Sequence, residues 1–256
     1  MLNINKIYNG DCLDVMKEID TNFIDLTLTS PPYDNLKNYN GYSFNFSEIA
    51  KELYRITKIG GVVVWVIGDA TLNGSETGTS FKQALYFKEI GFNLHDTMIW
   101  HKPNSFNFGS NHCYRNSFEY MFVFSKKKIK TFNLIQDVPT KSVGKVLKGA
   151  RKHANGIRDK VPDFMVGEFK KRDNVWDIQV GSNNHNHPAV FPEKLARDHI
   201  VSWSNEGDLV LDPMCGSGTT CKIAKYLNRN YIGIDISKEY CDIAEQRILN
   251  MPTTLF

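Results

Sequence analysis

Residues 209–220 read Leu209-Val210-Leu211-Asp212-Pro213-Met214-Cys215-Gly216-Ser217-Gly218-Thr219-Thr220, an apolar run, a glycine-containing turn and then the opening of a helical pattern carried on by Ile223, Ala224 and Leu227. Glycines at such a junction let the backbone turn sharply and bring amide groups against a ligand at a helix N-terminus. Working outward, six further segments read as strands: Lys6–Tyr8, Ile24–Thr29, Gly61–Ile67, Leu94–His101, Glu119–Ser125 and Tyr231–Asp235. Several are short continuous apolar runs, the signature of strands covered on both faces. Helical patterns alternate with them: Phe46, Ile49, Ala50 and Leu53 share one face, as do Phe81, Ala84, Leu85 and Lys88. Leu195, Ala196, His199, Ile200 and Trp203 recur at the same spacing, and Ser237 caps a last helix that runs to Leu249.

This alternation predicts an α/β fold: a doubly wound, mostly parallel, seven-stranded sheet. No helix separates Leu94–His101 from Glu119–Ser125, so these two predict an antiparallel hairpin at one sheet edge. Residues 126–186 lose the alternation. The expected organisation is one domain over 1–256 with a basic insertion at 127–174.

With 256 residues, 41% hydrophobic and 23% charged, the chain suits a globular domain with a sizeable core. It has no 18-residue apolar run and no signal-peptide-like start, which predicts no membrane association and a cytoplasmic location. Five scattered cysteines without a CxxC pair exclude a disulfide framework, and no histidine cluster has metal-ligand spacing, so no metal is expected. Net charge is only +3, but residues 126–172 hold 14 Lys/Arg against 4 Asp/Glu. Such asymmetry predicts a surface that meets a polyanion.

The glycine loop excludes two common ligand types by spacing. A dinucleotide fingerprint would need glycine where Cys221 stands, and a Walker A loop needs a Gly-Lys pair that is absent. A ligand without phosphates fits better. Asp235, closing the strand 17 residues past Gly218, has the position of a carboxylate that accepts ribose hydroxyls, and also that of a helix cap. At the other end of the chain, Ser30-Pro31-Pro32-Tyr33 follows the strand Ile24–Thr29. Neither proline has an N–H and both have fixed φ, so the carbonyls of Ser30 and Pro31 can aim at one spot. Tyr33 offers a ring for an extruded base to stack on.

Together, in this order, the two strings resemble the permuted (beta-class) DNA amino-methyltransferases of the N4-cytosine/N6-adenine family. The catalytic string Asp/Asn/Ser-Pro-Pro-Tyr/Phe is matched by Ser30 to Tyr33. The cofactor string is matched by Asp212 to Thr220, with Met214 in place of its usual Phe. Asn9-Gly10-Asp11-Cys12-Leu13 and His187-Pro188-Ala189-Val190-Phe191-Pro192 resemble further cofactor segments. Asp11 also fits a helix cap. The resemblance implies S-adenosylmethionine as cofactor, held by Asp11, Cys12, Phe191, Asp212, Met214, Gly216, Ser217, Gly218, Thr219 and Asp235. It implies Ser30, Pro31, Pro32 and Tyr33 as the catalytic loop, double-stranded DNA as substrate, and target recognition by the segment 127–174. Ser30 is more typical of cytosine-N4 enzymes, with adenine-N6 methylation the alternative. A non-catalytic nucleic-acid-binding module and an RNA methyltransferase fit less well. A homodimer and a cognate restriction endonuclease stay open as partners.

Overall fold

The computed structural model describes residues 2–32, 44–105, 112–153, 156–180 and 191–251. Two compact units divide the chain: residues 1–133 with 174–256, and Leu134–Asp173.

The larger unit is built on one sheet. Its strands, in chain order, are β1 (Lys6–Asn9), β2 (Ile24–Thr29), β3 (Thr57–Ile67), β4 (Asn93–His101), β5 (Phe118–Ser125), β6 (Val175–Asp177), β7 (Leu209–Asp212) and β8 (Asn230–Asp235). Their spatial order is β1-β8-β7-β2-β3-β5-β4-β6. Every neighbouring pair is parallel except the two that β5 makes, with β3 and with β4. The N-terminal strand pairs in parallel with the last one, in the register Lys6↔Ile232 to Asn9↔Asp235.

One expectation needs correction. The sheet has eight strands rather than seven, and the hairpin of β4 and β5 is not at the edge, because β6 pairs in parallel with β4. This strand is only three residues long, too short for a periodic signal, and lies in a stretch read as irregular. Burial of Trp176 and Ile178 explains why it docks: their side chains join the core, and the Trp100 indole donates to Ile178 O at 2.7 Å. The insertion is correspondingly narrower than its loss of periodicity suggested.

Helices α1 (Cys12–Lys17), α2 (Phe46–Ile56) and α3 (Thr79–Glu89) cover one face, and α4 (Glu193–Trp203), α5 (Thr219–Tyr226) and α6 (Lys238–Leu249) the other. The run Val62-Val63-Val64-Trp65-Val66-Ile67 shows why both layers are needed. Val62, Val64 and Val66 pack with α4–α6, while Val63, Trp65 and Ile67 pack with α1–α3. Each side chain of this kind contributes about 1.5–3 kcal/mol when fully buried.

Helix α3 buries a different face from the expected one. Phe81 and Leu85 are 50% and 59% exposed, whereas Ser80, Gln83, Ala84 and Phe87 are buried. Polar partners explain the turn of the helix: Gln83 accepts from the Trp65 indole at 2.7 Å, and Asp69 accepts from Ser80 N at 2.9 Å. Among the described residues no helix is long and apolar enough to cross a membrane.

The smaller unit is one antiparallel ribbon. Gln136–Pro139 pairs with Phe169–Lys171, Val146–Leu147 with Phe164–Met165, and Ala150–Lys152 with Arg158–Lys160. At Gly149 the two chains run so close that an added Cβ would lie 2.2 Å from Pro162 O. None of the unit's described apolar side chains is buried.

Candidate active site

Parallel neighbours place their loops at a common sheet end. Strands β2 and β7 pair directly, Leu211 opposite Thr27, so the loop after Thr29 and the loop after Asp212 leave side by side. A hydrogen bond joins them: the Thr29 hydroxyl donates to Asp212 Oδ1 at 2.8 Å, between residues 183 apart in sequence. Asp212 also accepts from Met214 N at 3.2 Å and from the Thr220 hydroxyl. It is 5% exposed, and burial pushes its carboxyl up to about 6, opposed by these hydrogen bonds. Ser30 and Pro32 are half-buried and Pro31 is buried beside this junction. Tyr33 and residues 187–190 lie outside the described residues.

The glycine loop is anchored on β8. Cys215 N donates to Ile234 O at 2.9 Å, and Gly216 N donates to Asp235 Oδ2 at 2.8 Å. Asp235 Oδ1 accepts from Ser237 N at 2.9 Å, so the carboxylate does serve the start of α6 as well as facing the loop. From β1, Gly10 N donates to Asp235 O at 3.0 Å, and the Asn9 amide donates to Asp235 O and Ile236 O. Asp11 caps α1, accepting from Leu13 N at 2.8 Å. The next residue, Cys12, has its thiol pushed up to about 12, by burial first and then by Asp11. The ends of β1, β8 and β7 thus bring Asp11, Cys12, Asp235 and the loop from Asp212 to Thr219 together. Phe191 packs on the α4–α6 core cluster that contains Cys215.

Within that set the residues divide by exposure. Asp11, Cys12, Phe191, Met214, Gly216 and Asp235 keep some accessible surface, whereas Asp212, Ser217, Gly218 and Thr219 are buried. The side chains of Ser217 and Thr219 point back to α6: Arg247 donates to Ser217 Oγ at 2.7 Å and to Thr219 Oγ1 at 3.2 Å. Gly218 begins α5 with φ +76°, and a Cβ there would meet Ala244 Cβ at 2.5 Å. The buried Cys215 thiol is raised well above its ordinary value, by a hydrogen bond with Cys221 first and then by burial.

Sequence reasoning assigned no role to Thr29, Thr220, Asn9 or Arg247, although Thr220 and Asn9 stand inside the quoted strings and Thr29 ends a buried strand; Arg247 carried no signal. The same reasoning misread Lys126, counted with the polyanion-binding cluster. Lys126 is 8% exposed, and its ammonium donates to Tyr54 O at 2.6 Å, Thr57 O at 3.0 Å and Asn22 Oδ1 at 2.9 Å. It satisfies carbonyls at the end of α2 and cannot meet DNA.

The donor set fits S-adenosylmethionine. No Lys or Arg occurs between Leu209 and Cys221 to neutralise a phosphate. The loop instead gathers three carboxyl groups, Asp11, Asp212 and Asp235, beside backbone amides, which suits a cationic sulfonium with hydroxyl-bearing ribose. Among the described residues no group of three or more His, Cys, Asp or Glu could hold a metal.

Comparison with known proteins agrees. Residues 24–246 match the family model described as DNA methylase, N6_N4_Mtase. The chain is 58% identical over 239 residues to the orphan methyltransferase M.BamHII of Bacillus amyloliquefaciens, covering 89% of each chain. It is 30% identical over 262 residues to the type II methyltransferase M.BglII of Bacillus subtilis, covering 97% of this chain and 70% of that one. Among solved structures, a PvuII DNA methyltransferase titled cytosine-N4-specific shares the fold with a TM-score of 0.71 at 22% identity, covering 97% of this chain and 87% of that one. With the two loops joined at one sheet end and the family model spanning both, the chain belongs to the N6/N4 DNA methylase family and is an S-adenosylmethionine-dependent DNA methyltransferase.

Proposed function

We propose that the chain methylates the exocyclic N4 amine of a cytosine flipped out of duplex DNA. The observation that carries this reading is the junction at β2 and β7, where the Thr29–Asp212 hydrogen bond holds the Ser30-Pro31-Pro32 loop against the glycine loop. S-adenosylmethionine, when bound, supplies an electrophilic methyl group on a sulfonium. Asp235 would accept its ribose hydroxyls, Asp11 and Cys12 would line its base, and Met214 and Phe191 would pack along it.

The amine is a poor nucleophile because its lone pair is delocalised into the ring. The carbonyl of Pro31 and the oxygens of Ser30 accept hydrogen bonds from it, drawing the nitrogen toward tetrahedral geometry. Much of the rate then comes from fixing both reactants in line. Tyr33 stacks on the flipped ring. Ser30 favours cytosine, because it presents a short neutral hydroxyl where adenine enzymes commonly have a carboxylate or amide.

The ribbon Leu134–Asp173 is the proposed target-recognition segment. A two-stranded ribbon fits the major groove of DNA. Residues 141–160 hold seven Lys/Arg and one acidic residue, Asp159, which is engaged by His153 at 2.5 Å. The word orphan in the name of the 58% identical relative favours an enzyme without a paired endonuclease.

The test is mass spectrometry of nucleosides from DNA incubated with the enzyme and labelled cofactor. Label in N4-methylcytosine is expected. Label in N6-methyladenosine alone would overturn the base assignment.

A further inference from the structure

One side chain of α6 holds two residues of the glycine loop at once. The Arg247 guanidinium, 13% exposed, donates to Ser217 O and Ser217 Oγ, each at 2.7 Å, and to Thr219 Oγ1 at 3.2 Å. Between those residues lies Gly218, whose missing Cβ lets Ala244 of α6 pack against it. Ala244 and Arg247 are three apart and so share one face of the helix. That face therefore backs Ser217, Gly218 and Thr219 in succession.

The same guanidinium reaches a second segment. Arg247 also donates to Glu193 Oε1 at 3.2 Å, and Lys222 of α5 donates to that oxygen at 2.6 Å. Glu193 opens α4 two residues after Phe191. At its other end, α6 begins beside Asp235, whose carboxylate receives Gly216 N. One helix thus ties down the loop, the ribose carboxylate and the segment bearing Phe191.

We propose that Arg247 is a positioning residue for cofactor binding, fixing the glycine loop and the Phe191 segment in their cofactor-ready arrangement through Ser217, Thr219 and Glu193. This rests on the reading of residues 212–219 as the cofactor loop. Arg247 acts through Ser217, Thr219 and Glu193, so its loss should fall on the KM for S-adenosylmethionine rather than on kcat at saturation. Misplacement of a binding loop by a remote change costs about ten- to hundredfold.

The experiment compares Arg247→Ala, Arg247→Lys and the parent in steady-state methylation of plasmid DNA and in calorimetry with S-adenosylhomocysteine. Arg247→Ala should raise KM and the dissociation constant together. Arg247→Lys should fall between it and the parent, since an ammonium cannot reproduce the planar fork. Arg247 also borders an open cavity of about 540 Å³ with Lys222, Asp242 and Gln246, so dissolved guanidinium can reach the vacated place. Millimolar guanidinium should lower the KM of Arg247→Ala and leave that of the parent unchanged. An unchanged KM in Arg247→Ala, or a raised one that guanidinium does not reverse, would overturn the proposal. If Arg247→Ala does not fold, Arg247→Lys decides: an unchanged KM overturns it. Asp235→Ala, run alongside, separates the two readings. Its unchanged cofactor affinity would reject the loop assignment itself, whereas a loss in Asp235→Ala without one in Arg247→Lys or Arg247→Ala rejects only the role of Arg247.

Discussion

Replacing Asp212 by Asn should make the protein more stable at neutral pH and change nothing of the kind in acid. The carboxyl is 5% exposed and its pKa rises from an ordinary 3.8 to about 6, chiefly through burial. A carboxyl raised in the folded state adds stability while both states are protonated. That contribution is lost as pH climbs through the folded value, because the unfolded chain releases its proton first. The shift corresponds to about 3 kcal/mol between about pH 4 and about pH 7. Asn is nearly isosteric, and its carbonyl oxygen can still accept from Thr29 and Met214 N, the 2.8 and 3.2 Å bonds of the parent. It carries no such titration. Urea unfolding followed by fluorescence of the buried Trp65, Trp100, Trp176 and Trp203 measures the difference at each pH. Carboxyl groups remote from Asp212 titrate equally in both proteins and cancel. The variant should gain on the parent by about 3 kcal/mol across that window. Parallel stability curves from acid to neutral pH would refute the reasoning, because the burial of Asp212 would then carry no cost in its charged form.

Three further outcomes follow from the geometry. Asp235→Ala removes the acceptor of Gly216 N and of the proposed ribose hydroxyls, and should weaken S-adenosylhomocysteine binding by about 1.5–3 kcal/mol in calorimetry, with circular dichroism unchanged. Lys126→Met strands the carbonyls of Tyr54 and Thr57 and should cost about 2–4 kcal/mol of stability in urea, while the salt dependence of DNA binding stays as in the parent. Charge reversal at the exposed Lys170 and Lys171 of the ribbon should do the opposite: it should spare stability and flatten log K against log salt by about 0.9 for each phosphate no longer neutralised, whereas an unchanged slope would make the ribbon a solvated surface.

The sheet was legible where one segment's own pattern carried the signal. Val62 to Ile67 is apolar without a break, the signature of a strand covered on both faces, and both core clusters claim its side chains. The strand β6 was not legible. Three residues show no period, and Val175–Asp177 pairs because Trp176 finds the core cluster, a long-range fact. Face assignment in α3 failed for a related reason. Hydrophobicity picked Phe81 and Leu85, but burial of Gln83 and Ser80 is stabilised by Trp65 and Asp69, which the helix sequence does not contain.

The same division explains the site. Prolines and glycines act on their own backbone, so Ser30-Pro31-Pro32 and Gly216-Ser217-Gly218 announce tight loops wherever they stand. What a side chain in those loops does depends on its partner. Ser217 and Thr219 matched a cofactor-binding string, yet their hydroxyls face Arg247, some thirty residues on. Charge counting failed at Lys126 because the sum over a segment ignores where each ammonium ends; helix α2 leaves carbonyls unpaired at its end, and this lysine satisfies them. The permuted order makes the partner problem acute. The catalytic loop and the cofactor loop come from opposite ends of the chain, and the bond that joins them, Thr29 to Asp212, spans 183 positions. Local rules find both loops, but only the pairing of β2 with β7 makes them one site.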